Sequence, residues 1–342
     1  MIQQHIRHLF PGSNTCAGFW GYYANLRARA RRCIILKGGP GVGKSTMIKA
    51  AGQHYEELGQ PVIYFHCSGD PDSLDGMLAP EADFLMLDGT APHPVDPTMP
   101  GAEDGIVNLG VCLDEKELRS HRDEIEAVTR EMAACFAQAH RYLKGAETLR
   151  GDAEAVYRAA FSEKARRNLQ RELLSLLPGG PEGEAFHLYA QAITGQGVIQ
   201  QIDSILTDTV YCLDVPWGFP ADDLLQRLQR GAADACLAME CYHDPLNGKG
   251  LLHLAVGSSL FTTAVAADQP LFSPQLDQAM LRRQGARLAF DRAVYDLTLN
   301  QAVEALAQAK EKHDQLERYY MDAMDYGRLS AIRQELMEAL PR

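Results

Sequence analysis

What the sequence lacks narrows the reading first. Its eight cysteines, at 16, 33, 67, 112, 135, 212, 236 and 241, include no CxxC pair, and several fall in predicted strands. A disulfide framework is therefore not expected, and reduced, mostly buried thiols are. No uninterrupted apolar run is long enough to span a bilayer, and the opening Met1-Ile2-Gln3-Gln4-His5-Ile6-Arg7-His8 lacks the apolar core of a signal peptide. Export and membrane insertion are not expected, and a cytoplasmic location is. There is no dense basic block. The 45 acidic residues outnumber 33 basic ones, for a net charge of −12, which counsels against a nucleic-acid surface as the main role and leaves only small local basic faces. A guanine-reading Asn-Lys-x-Asp motif is also missing, since Asn247-Gly248-Lys249 and Asp83 do not supply one.

Against these absences stands Gly38-Gly39-Pro40-Gly41-Val42-Gly43-Lys44-Ser45-Thr46, a complete phosphate-binding loop pattern. Cys33-Ile34-Ile35-Leu36 before it reads as a buried strand, and 46–58 after it carries apolar residues at helical spacing, so the required strand-loop-helix context is present. Glycines 38, 41 and 43 let the backbone curl and aim N–H groups at phosphate, while the helix offers its positive end. Lys44 is expected to reach the β- and γ-phosphates, Ser45 to ligate Mg²⁺ and Thr46 to bond the α-phosphate. The second element of such a site is an acid at the end of another buried strand. Phe84-Leu85-Met86-Leu87-Asp88, one strand beyond Val62-Ile63-Tyr64-Phe65, fits it, with Asp88 holding Mg²⁺ through water. A plain Asp-Gly turn is the bland alternative. Gly89 follows Asp88 where many ATPases place a Glu to polarise water, so slow hydrolysis or another base is implied.

The 342 residues suffice for two domains, and a search for repeats finds them. His8-Leu9-Phe10 with Thr15 and Gly18 recurs as His187-Leu188-Tyr189 with Thr194 and Gly197. Cys33-Ile34-Ile35-Leu36 recurs as Val210-Tyr211-Cys212-Leu213, and Pro40 finds Pro216. Cys67 to Asp70-Pro71 is echoed by Cys241 to Asp244-Pro245, Leu74-Asp75-Gly76 by Leu246-Asn247-Gly248, and Arg141-Tyr142 by Arg318-Tyr319. The order and spacing indicate a tandem duplication, with copies at 1–182 and 183–342. Copy two has lost the chemistry. Asp214 to Asp223 carries no lysine or glycine cradle, two prolines remove donors, Trp217 fills space, and Asp222 with Asp223 repels phosphate at the helix start. Its strand at 260–265 lacks an acid equivalent to Asp88. This half reads as a nucleotide-free partner, either a brace or a recognition surface.

Each copy ends in helices. Leu118, Ile125, Val128, Met132, Phe136, Ala139 and Leu143 describe an amphipathic helix that Gly145 and Gly151 are expected to interrupt, with a second helix at 153–177. Val303, Leu306, Leu316, Tyr320 and Met324, with Gly327 near the place of Gly151, suggest the counterpart in copy two. Antiparallel hairpins projecting from each α/β core are expected, serving either packing or a lid or partner-binding arm. Arg119, Arg122, Arg130 and Arg141 offer candidate arginine fingers, against the plainer reading of a solvated face.

Two loops carry candidate substrate chemistry. In His66-Cys67-Ser68-Gly69-Asp70-Pro71-Asp72-Ser73-Leu74-Asp75-Gly76, Asp70 or Asp72 can take a proton from an acceptor hydroxyl, unless the loop is simply an Asx-rich turn. In Asp88-Gly89-Thr90-Ala91-Pro92-His93-Pro94-Val95-Asp96-Pro97, Thr90 and His93 are placed to orient water or sense the γ-phosphate. His66, Cys67 and His93 match no zinc-ligand spacing.

These stretches, His8-Leu9-Phe10 with Gly12, Asn14 and Thr15, ILKGGPGVGKST at 35–46, HCSGDPDSLDG at 66–76 and DGTAPHPVDP at 88–97, resemble a bacterial family of tandem P-loop ATPases along essentially the whole chain. The resemblance implies that Gly38, Gly43, Lys44, Ser45 and Asp88 bind Mg-ATP. It implies a preference for adenine and brings no substrate. The family carries a phosphate loop in both halves, and the degraded loop of copy two departs from that. The expected fold is therefore α/β, two tandem P-loop-type parallel-sheet lobes with helical hairpins. The expected function is an ATPase or ATP-driven switch, the alternatives being a small-molecule kinase based on Asp70 or Asp72 and a scaffold that binds ATP structurally. A protein partner through the helical extensions is a further expectation.

Overall fold

The computed structural model describes residues 5–264 and 271–341. Strand Val265 of the expected run at 260–265 lies outside them. The first copy runs β1 (Ile6–Leu9), β2 (Gly12–Thr15), β3 (Gly18–Gly21), α1 (Tyr23–Arg27), β4 (Arg32–Lys37), α2 (Lys44–Glu57), β5 (Val62–His66), β6 (Leu74–Ala79), β7 (Phe84–Asp88) and β8 (Asp104–Asn108). Helices α3 (Glu115–Ser120), α4 (Arg122–Ala160) and α5 (Glu163–Leu174) follow. The second runs β9 (Ala185–Leu188), β10 (Gln191–Thr194), β11 (Gly197–Gln200), β12 (Thr209–Leu213), α6 (Asp222–Asp234), β13 (Met239–His243), β14 (Leu251–Val256), β15 (Ser259–Thr262) and β16 (Leu271–Phe272), then α7 (Gln278–Asp322) and α8 (Tyr326–Glu338).

The two six-stranded sheets are built alike. One is ordered β1-β5-β6-β7-β4-β8 and the other, read from its far edge, β9-β13-β14-β15-β12-β16. The pairing senses also agree: β6 and β14 are antiparallel to both neighbours, and the remaining pairs are parallel. The sheets are thus mixed, not the parallel sheets expected. The difference lies in β6, because Leu74-Asp75-Gly76 begins a strand where the sequence read as loop. A hairpin return costs few residues, so the antiparallel strand fits between β5 and β7 without a crossover helix.

Both faces of each sheet are apolar, and their residues alternate in period two. In β5, Ile63 and Phe65 point to a core shared with Leu188, Val210, Cys212, Tyr242 and Leu260 of the second sheet, while Val62 and Tyr64 point to an outer core under α2. The result is a helix-sheet-sheet-helix sandwich, with α6 on the far side. Its pseudo-twofold axis is visible in the backbone. Phe10 N donates to Tyr189 O and Tyr189 N to Phe10 O, both at 2.9 Å, between residues that occupy the same place in the two copies. Arg7 ties the halves from one buried flank, reaching Glu240 at 2.7 Å, Tyr242 Oη at 2.7 Å and Ser204 O at 2.8 Å.

The helical tails depart most from expectation. Helix α4 passes through Gly145 and Gly151 without a break and stops only at Phe161, before Ser162 caps α5 by accepting from Ala165 N. Gly145 is retained where α7 comes close, since a Cβ there would stand 3.3 Å from Thr298 Cγ2. A helix that gains packing along its whole length tolerates the cost of about 1 kcal/mol that each interior glycine brings. Hairpins within each copy are not formed. Instead α4 of copy one and α7 of copy two lie antiparallel, meeting at Ala139, Leu143, Ala146, Ala302, Ala305 and Leu306. Each tail then crosses to the other lobe. Tyr157, Phe161, Leu169 and Leu173 of copy one complete the core around α6, and Met324, Leu336 and Leu340 of copy two complete the core around α2. The crossing is reciprocal, with Asp114 N donating to Ala323 O at 2.8 Å and Asp277 N to Ala160 O at 2.9 Å. These bonds, and the matching caps Asp114 and Asp277, make Asp114 equivalent to Asp277. Arg141-Tyr142 therefore does not correspond to Arg318-Tyr319; Leu143 corresponds to Leu306. Sequence matching carried the strand offset into helices whose linkers differ in length. Arg119, Arg122, Arg130 and Arg141 are all exposed, as the solvated reading has it. Among the described residues no helix is long and apolar enough to cross a membrane.

Leu173→Ala deletes a side chain from one copy's tail inside the other copy's core, and is expected to cost about 2–5 kcal/mol in chemical denaturation. A loss below about 1 kcal/mol would contradict the exchanged packing. Fully buried His253 bonds Thr262 Oγ1 through Nδ1 at 2.6 Å, and burial pushes its pKa down to about 3. The unfolded chain binds that proton near pH 6.5, so stability is present above pH 6.5 and lost as pH falls toward 3. The decline between pH 7 and 4 is expected to be shallower in His253→Leu.

Candidate functional site

Strand β4 delivers the chain to the glycine-rich loop, and β7 lies beside it in parallel, with Leu36 paired to Asp88. The two sequence elements are thereby brought to one sheet end. Gly41 and Gly43 turn through φ of 70° and 89°, left-handed values that a side chain resists, and Gly43 caps α2. Val42 is buried in the outer core, which anchors the loop's middle. Lys44, the first residue of α2, turns back into the curl. Its Nζ donates to Gly39 O at 2.7 Å and Gly38 O at 3.2 Å and lies 3.6 Å from Asp88 Oδ2, with 9% of the residue exposed. A nearly buried ammonium needs such partners to offset lost hydration. Ser45 Oγ accepts from Leu74 N at 3.0 Å, tying α2 to β6, and Thr46 is exposed.

Asp88 is positioned by its own turn. Its Oδ1 accepts from Thr90 N at 2.9 Å and Thr90 Oγ1 at 2.6 Å, leaving Oδ2 toward Lys44. His93 is buried, with Nδ1 3.1 Å from Asp88 O and Nε2 3.5 Å from Asp75 Oδ2, and its ring stacks on Tyr23 at 4.2 Å. Tyr23 Oη donates to the same Asp75 oxygen at 2.7 Å. Burial opposes the imidazolium, yet the Asp75 hydrogen bond and the Asp75 and Asp88 charges outweigh it and raise the His93 pKa. His93 thus holds the 88–97 loop by its first carbonyl. Lys37 holds it further along, donating to Gly89 O at 2.8 Å and Val95 O at 2.7 Å. Beside this loop lies an open cavity of about 280 Å³ lined by Phe19, Trp20, Tyr23, Pro92 and His93.

Asp70 and Asp72 sit elsewhere on the rim. Asp70 Oδ2 accepts from Ser73 Oγ at 3.1 Å and faces Lys310 Nζ of α7 at 3.4 Å. Asp72 Oδ2 accepts from Gln196 Nε2 at 3.2 Å, from the turn between β10 and β11, while its carbonyl accepts from Lys49. Their carboxylates bond to copy two and to their own turn. Sequence reasoning missed Asp75, Tyr23, Lys37 and Lys310. Of these only Asp75 lay in a stretch that the sequence singled out for substrate chemistry, the loop at 66–76. It also missed the His8–His66 and His187–His243 pairs, each joined Nδ1 to Nε2 at 2.9 Å.

The loop of copy two keeps the path and changes the residues along it. Asp222 Oδ1 accepts from Leu251 N at 2.7 Å, as Ser45 does from Leu74 N, so Asp222 stands at the place of Ser45. Ala221 then replaces Lys44, Pro220 replaces Gly43, and Gly218 at φ 77° matches Gly41. Pro216 consequently aligns with Gly39, not with Pro40. Thr262 pairs with His253 in the register of Leu87 with Gly76, so Thr263 follows where Asp88 stands. Asp223 is paired with Arg158 of α4.

The tail of copy two also closes over the first loop. A Cβ on Gly39 would stand 2.5 Å from Tyr320 Cε1, one on Gly41 3.1 Å from Met321 Cγ and 3.2 Å from Glu317 Cβ, and one on Gly43 3.5 Å from Leu329 Cδ2. The mirror contact exists, with Ala153 Cβ 2.6 Å from a Cβ on Gly218.

His93 is expected to titrate above its ordinary value near pH 6.5, and Asp75→Asn to bring it down, as read from imidazole proton NMR. Because the folded pKa is raised, His93 contributes stability below about pH 6.5 that is lost as pH rises through the folded value. Compared with protein-family models, with curated proteins and with solved structures, the chain matches none of them.

Proposed function

We propose that the first copy binds Mg-ATP and that the protein is an ATPase or ATP-driven switch with one working site. The observation that carries this is Lys44, an ammonium drawn into a glycine curl at a helix start and set 3.6 Å from the carboxylate of the adjacent parallel strand. Backbone amides of the curl and the positive end of α2 suit an anion, and Lys44 supplies the full charge that neutralises it. Ser45 and Asp88 fit a hard cation, each offering an oxygen at the loop's end, and Mg²⁺ bound there would draw charge from phosphate oxygens. Thr90 fixes the Asp88 carboxylate, and Lys37 and His93 fix the backbone that follows, so these residues orient the site. The loop pattern's resemblance to tandem P-loop ATPases supports the same reading. Copy two, with Ala221 for Lys44 and Asp222 and Asp223 at its helix start, serves as the nucleotide-free half.

One observation favours a second reading, phosphoryl transfer to a small acceptor: the aromatic-lined cavity beside the 88–97 loop. With Asp70 and Asp72 engaged by Lys310 and Gln196, this reading asks another group to take the acceptor's proton.

Lys44→Ala is expected to weaken ATP binding by about a hundredfold, the worth of a charge-assisted contact of about 2.7 kcal/mol, while circular dichroism stays unchanged. Asp88→Asn should abolish the Mg²⁺ dependence of phosphate release. Unchanged affinity in Lys44→Ala refutes the site, stimulation by one member of a metabolite pool favours transfer, and tight binding without turnover favours a structural nucleotide.

A further inference from the structure

We propose that the junction of α7 and α8 is a nucleotide-operated latch on the phosphate loop, an inference that rests on the nucleotide reading above. The loop's inner surface belongs to copy one, but its cover belongs to copy two. Tyr320 lies against Gly39, Met321 and Glu317 against Gly41, and Leu329 against Gly43, so three glycines of the curl are in contact with one elbow of the chain. The elbow excludes a side chain at Gly39, where a Cβ would stand 2.5 Å from the Tyr320 ring.

Three backbone-directed hydrogen bonds and the buried Met324 fasten the elbow. Asp325 N donates to Cys112 O at 2.8 Å, Asp114 N to Ala323 O at 2.8 Å, and Arg328 to Val111 O at 2.7 Å, all to the short turn 109–114 after β8. Beyond it, α8 lies on the outer core through Leu336 and Leu340, and Tyr55 Oη reaches Pro341 O at 2.9 Å. Tyr320 and Met321 remain part-exposed or exposed, so their contact on the loop is a surface contact that can open while Met324 and Leu329 stay packed on the outer core.

In the latched state Lys44 spends its charge on Gly38 O, Gly39 O and Asp88. A triphosphate competes for that ammonium and for the loop amides, which requires the peptide units around Gly39 to readjust beneath Tyr320. Glu317 lies over Gly41 through its Cβ and carbonyl, while its carboxylate faces His313 at 3.8 Å. The readjustment under Tyr320 favours withdrawal of Tyr320 and Met321. By reciprocity, a docked elbow weakens nucleotide binding by the same factor that nucleotide loosens the elbow. Because α7 continues into the pairing with α4, whose own end covers Gly218, the latch is attached to the helix pair that joins the two copies.

The test is hydrogen–deuterium exchange of the full chain over 313–329, with and without a nonhydrolysable ATP analogue and Mg²⁺, beside Lys44→Ala. The expected result is faster exchange of this segment with nucleotide and no change in Lys44→Ala. Tyr320→Ala is expected to bind the analogue about fivefold more tightly, the low end of coupling between linked sites. Binding with unchanged or slowed exchange at 313–329 overturns the latch while leaving the nucleotide site standing. Absence of binding in both the parent and Tyr320→Ala overturns the nucleotide reading and the latch with it, whereas binding only in Tyr320→Ala supports a latch that is closed in the parent.

Discussion

Neither sheet of this protein can bury its outer face with its own helix. Each is apolar on both sides, so the inner faces close against one another and the outer faces need more cover than α2 or α6 supplies. The remaining cover comes from the other copy's tail. Leu169 and Leu173 go to the second lobe, Leu336 and Leu340 to the first, and the cross-over bonds of Asp114 and Asp277 fix where each tail turns. The long α4–α7 pair follows from this exchange, since two tails that swap lobes about a twofold axis must pass one another in opposite directions.

The same exchange governs the candidate site. In the first lobe the crossing tail arrives over the glycines of the phosphate loop, and in the second over Gly218. One loop carries Gly39, Gly41, Gly43 and Lys44, and the other fills the same path with Pro216, Gly218, Pro220 and Ala221. Asp222 preserves the bond to Leu251 N that Ser45 makes to Leu74 N, so the substitution retains the architecture of the loop while placing acid where phosphate would lie. Copy two thus contacts the first loop through the elbow at 317–329, and Asp70 and Asp72 through Lys310 and Gln196.

Buried polar groups between the lobes are satisfied in matched ways. Ser204 Oγ accepts from His8 N at 2.8 Å and Asn25 Oδ1 from His187 N at 3.2 Å, at equivalent positions. Arg7 with Glu240 and Tyr242 has no such counterpart. Removing one partner of that group would leave a charge stranded between two sheets, whereas the surface pairs along α4 and α5 carry little.

Local features were legible in the sequence because they depend on residues close together in the chain. The loop at 38–46, the strands at 33–36, 62–65 and 84–88, the duplication and the decay of the second loop were written in glycine, lysine and apolar spacing. Features set by distant packing were not. The antiparallel β6 looked like loop because Asp75 and Gly76 break its apolar pattern, and only Tyr23 and His93, folded against it, give that carboxylate a partner. Gly145 and Gly151 read as helix ends because their cost is local while the packing of α4 on α7 that offsets it is not. The equivalence of the helices was misread because the two linkers differ in length, and only the reciprocal bonds at Asp114 and Asp277 set it right. The sequence by itself determined where the glycine loop, its lysine and the flanking strand and helix lie; the tertiary structure decided what covers them, because a tail's destination depends on which apolar face is left open after both lobes have formed.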